Sequence, residues 1–176
     1  MEYESYMKQT GKRRRAAGGD LRKTGGREIP PFVIRRAKRA DLEMVVKLSK
    51  GVKEIENYPG QKMKAEDFLH FVEGGGGLML VAAAKGKVVG YVTVYESDNY
   101  FYLPYAVTDK RWRKHGIGSA LLAEVERVAK EQKVEYILMS VYVYNSNVHT
   151  FLKARGYVAS KTLVQYSKNI SSRGNR

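Results

Sequence analysis

The chain of 176 residues is long enough for one domain, since domains commonly hold ~100–150 residues. It contains no cysteine, which excludes disulfides, thiolate metal sites and a catalytic thiol, and its three histidines lie far apart. Its net charge of +14 suits a polyanionic cofactor, nucleic acid or an acidic substrate, or serves solubility alone. Without a secretory signal or an apolar run of ~20 residues, the sequence predicts a cytoplasmic protein with no membrane span and no metal site.

The composition predicts three segments. Residues 1–31 are polar, glycine-rich and basic, so we expect a flexible arm, whereas residues 32–168 form the globular domain and residues 169–176 a polar tail. The arginines at positions 13–15 either form an arm that docks nucleic acid or protein, or belong to a solvated extension. Charge runs are more often solvated tails, which favours the second interpretation.

The apolar periodicity predicts strands and helices in alternation along the domain. Asp41 is placed to cap the helix that follows the first strand. The predicted strands cover residues 32–37, 78–84, 88–95, 100–107 and 136–144, with one or two more within 157–168. The predicted helices cover residues 42–48, 65–72, 116–132 and a short segment that ends at Gly156. This order predicts an α/β fold, with a central mixed sheet and helices on both of its faces.

The segment 105–122, YAVTDKRWRKHGIGSALL, predicts a strand, a glycine turn and the start of a helix. The unpaired N–H groups and positive end of such a helix suit a phosphate, and Gly116 and Gly118 let the anion approach the backbone closely. Arg113 and Lys114 add positive charge beside the turn. The dinucleotide fingerprint is not met, because Leu121 stands where its third glycine belongs, and the Walker pattern is also missing. The turn therefore suits a pyrophosphate better than a wrapped nucleoside triphosphate.

Three regions resemble the GCN5-related N-acetyltransferase (GNAT) superfamily in matching order. Residues 106–122 resemble its signature, in which Gln or Arg-x-x-Gly-x-Gly or Ala follows the fourth strand. Residues 32–48, FVIRRAKRADLEMVVKL, are similar to its opening strand and helix, and residues 145–157, NSNVHTFLKARGY, to its closing segment. The resemblance implies a GNAT-like fold with a splay between the fourth and fifth strands. It also implies transfer of an acetyl group from acetyl-CoA directly to a primary amine.

The resemblance implies a set of cofactor-binding residues. The backbone of the fourth strand would pair with pantetheine and polarise the thioester carbonyl, and the glycine turn would hold the pyrophosphate. The implied residues are Ala106, Val107, Arg113, Lys114, His115, Gly116, Ile117, Gly118, Ser119 and Asn145. Trp112 either stacks on adenine or covers apolar surface.

The acid and base of the family do not carry over to this chain. Leu152 stands where many members place a tyrosine acid, and about Ser140 stands where a subset places a glutamate. The local candidates are Tyr102 or Tyr144 as proton donor to the departing thiolate, and Glu96 as a proton relay. The tyrosines also suit simple packing within a sheet.

The acceptor is predicted less sharply than the cofactor. The positive charge of the domain disfavours polycationic small molecules unless Glu54, Glu56 and Glu96 form a local acidic pocket, which favours a protein or peptide amine as substrate. A homodimer and nucleic-acid contact through the arm are left open. The alternative function is an acyl-CoA-binding or nucleic-acid-associated module without transferase activity, motivated by Leu152 and by the arginines at 13–15.

Overall fold

A computed structural model describes residues 31–56 and 61–168 of the chain. Except for Pro31, the predicted arm and tail lie outside these described residues. Six strands are formed, β1 (Val33–Arg36), β2 (Gly77–Ala84), β3 (Lys87–Glu96), β4 (Tyr100–Tyr102), β5 (Ala106–Thr108) and β6 (Tyr136–Leu138). The α-helices are α1 (Leu42–Ser49), α2 (Ile117–Glu131) and α3 (Ser146–Lys153). Short 3-10 helices span Arg39–Asp41, Lys53–Ile55, Ala65–Phe71 and Lys110–Trp112.

The strands form one mixed sheet in the order β1-β2-β3-β4-β6, with β5 paired to the far part of β3. The pairs are antiparallel except for β4 and β6, which run parallel. The predicted hairpin is confirmed, since β2 and β3 are joined at Lys85 and Gly86, both with positive φ. The long strand β3 therefore organises the sheet, because it pairs with three others.

Helices cover both faces of the sheet, as predicted. On one face α2 and α3 pack over a core that includes Leu80 and Phe101. On the other face α1 and the 3-10 helix Ala65–Phe71 pack over Tyr91. The Ser49 hydroxyl donates to the Val45 carbonyl at 2.8 Å, so the Tyr91 hydroxyl is the donor in its 2.6 Å hydrogen bond to Ser49 Oγ. Burial raises the pKa of Tyr91, so this buried hydroxyl stays neutral.

Asp41 precedes α1 as predicted, but its carboxylate does not accept from the N–H groups of that helix. It bonds residues that come before it in the chain. It accepts two bonds from the Arg35 guanidinium, at 2.7 and 2.8 Å, and one from the Lys38 N–H at 2.7 Å. The Arg35 hydrogen bonds lower the pKa of Asp41 below its ordinary value. The ion pair fastens the start of α1 to β1, so that Asp41 caps the 3-10 turn rather than the helix.

Several predicted elements differ from the structure. The predicted strand 100–107 is split into β4 and β5, because Pro104 lies between them and has no N–H to donate. The predicted strand 136–144 ends at Leu138, since residues 139–144 pair with no strand of the described chain. The predicted helix 65–72 is a 3-10 helix, and residues 157–168 form no strand.

Candidate active site

The glycine turn has the geometry of an anion site. Gly116 precedes α2 with φ 80° and ψ −1°, and Lys114 also has a positive φ of 63°. A Cβ on Gly116 would meet nothing within 4 Å, so the space above the turn is open to a ligand. The N–H groups of Ile117, Gly118 and Ser119 belong to the first helical turn and have no acceptor four residues earlier. They are thus available to an anion.

The start of α2 is fixed by packing on the sheet. The Ile117 side chain is only 1% exposed and lies over Gly90 of β3. A Cβ at Gly90 would lie 2.9 Å from Ile117 Cγ2 and 3.1 Å from the Val107 carbonyl oxygen. Glycine is therefore required at position 90, although this residue touches no anion. The sequence prediction missed it, because the need arises from contact between elements far apart in the chain.

The basic residues near the turn are used differently. Asp109 accepts from the Arg111 N–H at 2.9 Å and pairs with its guanidinium at 2.9 Å, and these bonds lower the pKa of Asp109. Arg113 is exposed and donates from Nε to the Thr108 carbonyl at 3.3 Å. Lys114 is exposed as well. Arg113 and Lys114 are therefore the cations placed for an anion, whereas Arg111 is held by Asp109.

Two aromatic residues flank these cations. His115 Nδ1 is buried without a hydrogen-bond partner among the described residues. Trp112 is partly buried against the core below α2. Of the two predicted alternatives for Trp112, the structure shows it covering apolar surface.

A gap opens in the sheet beside the turn. The parallel strands pair from Tyr100 and Tyr136 to Tyr102 and Leu138, and the last bond runs from the Leu103 N–H to the Leu138 carbonyl at 2.9 Å. Beyond this bond β5 pairs with β3 alone, and residues 139–144 form no strand. This is the predicted separation of the fourth and fifth strands. Its closed end lies at Leu103, and its far end lies toward the glycine turn.

Alternate peptide groups of β5 face the gap. The Thr93 N–H donates to the Tyr105 carbonyl, and the Asp109 N–H to the Val89 carbonyl, both at 2.9 Å. Because bonding direction alternates along a strand, the Val107 groups also point at β3, whereas those of Ala106 and Thr108 point into the gap. The bond from Arg113 to the Thr108 carbonyl agrees with this direction. Of the two predicted backbone contacts, Ala106 faces the gap, and Thr108 does so in place of Val107.

Tyr102 lies at the closed end of the gap. It occupies the last paired position of β4, and its hydroxyl donates across the gap to Ser140 Oγ at 3.3 Å. Tyr95 of β3 stands opposite Tyr102, and its ring stacks on His70 at 5.3 Å between centroids. Desolvation raises the pKa of Tyr95 and lowers that of His70. The hydroxyls of Tyr102 and Tyr95 and the imidazole of His70 thus lie on the same face of the sheet.

Glu96 lies on the opposite face of the sheet. It pairs with Phe101, which is buried beneath α2, and adjacent residues of a strand point to opposite faces. Its carboxylate accepts from Gln132 Nε2 at 2.9 Å, near the end of α2. The structure thus separates Glu96 from Tyr102 and does not support the predicted proton relay. Leu152 is buried in the core, so no proton donor is present at that position.

The other wall of the gap carries Tyr144 and Asn145. Tyr144 is 67% exposed and stacks on Tyr142 at 5.2 Å. Desolvation, with smaller contributions from the charges of Glu54 and Tyr142, raises the pKa of Tyr144. The Asn145 carbonyl accepts from the His149 N–H at 3.1 Å, just before α3. Tyr144 comes six residues after Leu138, the last paired residue of β6, and lies in a turn, so it is separated along the chain from the closed end at Tyr102.

Within the described part of the chain, no group of three or more His, Asp or Glu side chains is placed to hold a metal ion. None of the helices in residues 31–56 and 61–168 has the length and apolar character needed to cross a membrane.

Solved structures with the same fold include several acetyltransferases. The aminoglycoside acetyltransferase AAC(6')-Iy, bound to the bisubstrate analogue CoA-S-monomethyl-acetylneamine, has a TM-score of 0.66 and 18% identity over 78% of this chain and 98% of its own. An aminoglycoside acetyltransferase from an uncultured soil metagenomic sample has a TM-score of 0.65 and 19% identity over 80% and 97%. A Trypanosoma brucei acetyltransferase has a TM-score of 0.64 and 14% identity over 78% and 99%. At these identities, the likeness establishes a shared fold.

The family comparison gives the assignment. Residues 43–157, more than half of the chain, match the model of the Acetyltransferase (GNAT) family, and this range includes the glycine turn and both walls of the gap. A comparison with curated proteins finds no matching sequence. The chain therefore belongs to the GNAT family of acetyltransferases, with acetyl-CoA as its cosubstrate.

Proposed function

We propose that the protein transfers an acetyl group from acetyl-CoA directly to a primary amine within the gap between β5 and residues 139–144. One observation carries this proposal. The left-handed turn at Gly116 stands at the far end of a gap into which the peptide groups of Ala106 and Thr108 point. An anion site and a row of backbone donors are thus joined by one continuous segment of chain.

The turn would hold the pyrophosphate. The N–H groups of Ile117, Gly118 and Ser119 supply hydrogen bonds at the positive end of the α2 dipole, and Arg113 and Lys114 supply charge. The residues present fit this group, because the space above Gly116 is open.

Two further residues are assigned to the cosubstrate. His115 contributes its backbone N–H to the phosphate rather than its ring, because Nδ1 is buried. On the opposite wall, the Asn145 side chain makes no cap hydrogen bond to α3, and we assign its amide to the pantetheine arm.

The acyl donor supplies a thioester, and the chain supplies orientation and a proton. In the gap, the N–H group of Ala106, which is nearer to Tyr102 along the chain, donates to the thioester carbonyl and stabilises negative charge that develops on its oxygen. The N–H group of Thr108, ~6.6 Å farther along the strand, is left to pair with the pantetheine arm.

The neutral amine nitrogen forms a bond to the carbonyl carbon, the carbon–sulfur bond breaks, and the Tyr102 O–H turns from Ser140 to give its proton to the departing sulfur. The proton that the amine nitrogen loses passes through water to the Tyr102 oxygen and restores the hydroxyl. Ser140 holds the Tyr102 hydroxyl in place through the 3.3 Å bond. We leave Glu96 out of this arrangement, because its carboxylate is directed to Gln132 on the other face.

Two classes of acceptor are compatible with the proposal. Two of the structural relatives are aminoglycoside acetyltransferases, which supports a small-molecule amine. The positive charge of the domain supports a protein or peptide amine instead. Thiol release from acetyl-CoA, measured with aminoglycosides, polyamines and peptides, separates the two classes. Because the chain has no cysteine, a thiol reagent detects only the product. Cosubstrate binding without thiol release for any acceptor would favour the binding-only alternative.

Calorimetric titration with CoA tests whether the pyrophosphate binds in the cradle, that is, the turn at Gly116 with the first N–H groups of α2. The test variant is Gly116→Glu, and the matched control is Gly86→Glu. Both glycines have positive φ, of 80° and 74°, and a Cβ on either meets nothing within 4 Å. The two variants therefore carry similar backbone strain, and only Gly116→Glu brings a carboxylate to the cradle. We expect affinity to fall by roughly 100-fold in Gly116→Glu and to stay unchanged in Gly86→Glu. Equal affinity in the two variants would overturn the placement of the pyrophosphate.

A further inference from the structure

Basic side chains gather at one end of the sheet. The β2–β3 hairpin and the loop between β5 and α2 come together there, since the Asp109 N–H donates to the Val89 carbonyl at 2.9 Å. We call residues 85–87 and 109–114 the basic end. They contain one acidic side chain and six basic ones, all six exposed, namely Lys85, Lys87, Lys110, Arg111, Arg113 and Lys114.

The other end of the sheet is acidic. The Gln132 side chain donates to the Glu96 carboxylate at 2.9 Å, and the Glu96 N–H donates to the Gly76 carbonyl at 2.9 Å. The β3–β4 turn therefore lies beside the end of α2 and the segment before β2. Four acidic side chains and one basic one are found in residues 72–76, 96–99 and 132–135. The charge of these loops thus changes sign from one end of the sheet to the other.

The proposed cosubstrate uses only part of the basic end. Arg113 and Lys114 are assigned to the pyrophosphate, whereas Lys85, Lys87 and Lys110 lie outside the cradle. Within the described chain, these three lysines make no ion pair. Like charges held close together repel one another, and a bound polyanion would relieve this repulsion.

The layout of the basic end suits a phosphate backbone. β2 and β5 are both neighbours of β3, so the hairpin and the loop span about 10 Å at ~4.8 Å for each strand spacing. One strand of a duplex carries a phosphate every ~3.4 Å along its axis, so several phosphates fit within this span. Neither segment has an exposed large apolar side chain, whereas the centre of a protein interface and a membrane-binding surface both need apolar contact.

We propose that the basic end binds the phosphate backbone of a nucleic acid. The proposal goes beyond acetyl transfer and does not depend on it. The start of β1 lies at the same end, because Val33 pairs with Ala83 beside the hairpin. Residues 1–31, which precede β1, add eight basic and four acidic side chains. Because lysine and arginine contact phosphates rather than base edges here, binding is independent of sequence.

Fluorescence anisotropy of the full chain with a labelled DNA duplex of about 20 base pairs tests the proposal. The test variant is Lys85→Gln, and the matched control is Lys133→Gln at the acidic end. Both lysines are exposed and have positive φ, of 48° and 59°, so the two variants differ in position but not in net charge or in the kind of backbone strain.

We expect the Kd for the duplex to rise roughly 5-fold in Lys85→Gln, and the slope of log Kd against log salt concentration to fall by about 0.9. Lys133→Gln should change neither quantity. Equal Kd values for the two variants, or no binding by the wild type, would overturn the proposal.

A competitor distinguishes a nucleic acid from an acidic protein surface. Unlabelled duplex should displace the labelled one at a concentration at least ~10-fold lower than polyglutamate with the same number of charges, because polyglutamate lacks the regular phosphate spacing. Equal displacement would assign the basic end to an acidic protein and refute the proposal. The same titration with an RNA duplex identifies which backbone is preferred, and either preference supports it.

Discussion

The two ends of the gap are built in different ways. At the glycine end, one run of chain from Ala106 to Ser119 supplies the backbone donors, the turn and the helix start. At the closed end, Tyr102, Ser140, Tyr95 and His70 come from four separate parts of the chain and meet only in the folded sheet. The proposed cosubstrate site is thus encoded locally, whereas the groups proposed to move protons depend on how distant segments are paired.

The largest expected effect comes from removing the hydroxyl at the closed end. In Tyr102→Phe we expect kcat to fall by roughly 100-fold, because a positioned general acid typically contributes that much or more. The affinity for CoA should stay unchanged, since the glycine end is intact. Steady-state kinetics together with calorimetry measure the two quantities separately.

Tyr100→Phe is the matched control for this change. Tyr100 lies two residues earlier on the same face of β4, but it stands opposite Tyr136 rather than at the gap. Its loss should leave kcat unaltered. Equal losses in the two variants would mean that the hydroxyls serve the sheet and not the reaction.

A smaller effect on CoA binding is expected from disturbing the contact between Gly90 of β3 and Ile117 of α2, which holds the glycine turn against the sheet. Gly90→Ala places a Cβ 2.9 Å from Ile117 Cγ2, which should lower the free energy of unfolding by about 1–3 kcal/mol and weaken CoA binding. Urea denaturation and calorimetry measure both consequences. Gly118→Ala is the comparison for stability, because its Cβ would meet only Phe151, at 3.8 Å. If Gly90→Ala were no less stable than Gly118→Ala, the packing requirement at Gly90 would be refuted.

The smallest effect is expected for Glu96→Gln. Its carboxylate contacts Gln132 on the α2 face, away from Tyr102, so the pH–rate profile between about pH 6 and pH 9 should match that of the wild type. Stability should change by no more than ~0.5 kcal/mol. A ten-fold loss of rate at high or low pH would restore Glu96 as a proton relay and remove the contrast between the two faces.

The same contrast explains what the sequence could predict. The start of α2, the hairpin of β2 and β3, and the α/β class follow from local signals, namely glycine positions and apolar periodicity. The strand assignment of β5 also predicts that neighbouring residues direct their peptide groups to opposite sides of the strand. Choosing between Val107 and Thr108, however, required the bonds to β3, which only the fold provides.

The failed strand predictions have a related cause. Residues 139–144 and 158–168 have the composition of strands, but a strand exists only when a neighbour accepts its hydrogen bonds. The described chain provides no such neighbour for either segment, so propensity alone gave the wrong assignment. The prediction of a proton relay through Glu96 rested on nearness in the sequence rather than on propensity. Glu96 is near Tyr102 in the chain, but the turn between β3 and β4 places the two side chains on opposite faces.

The packing of Ile117 against Gly90 couples ligand binding at the cradle to the stability of the fold. The N–H groups that would bind the pyrophosphate are gathered only while α2 rests on β3, so the unfolded chain has no comparable site. A ligand that binds the folded form alone stabilises it by ~2.7 kcal/mol at one hundred times its Kd. We therefore expect saturating acetyl-CoA to raise the melting temperature of the protein and to slow its proteolysis.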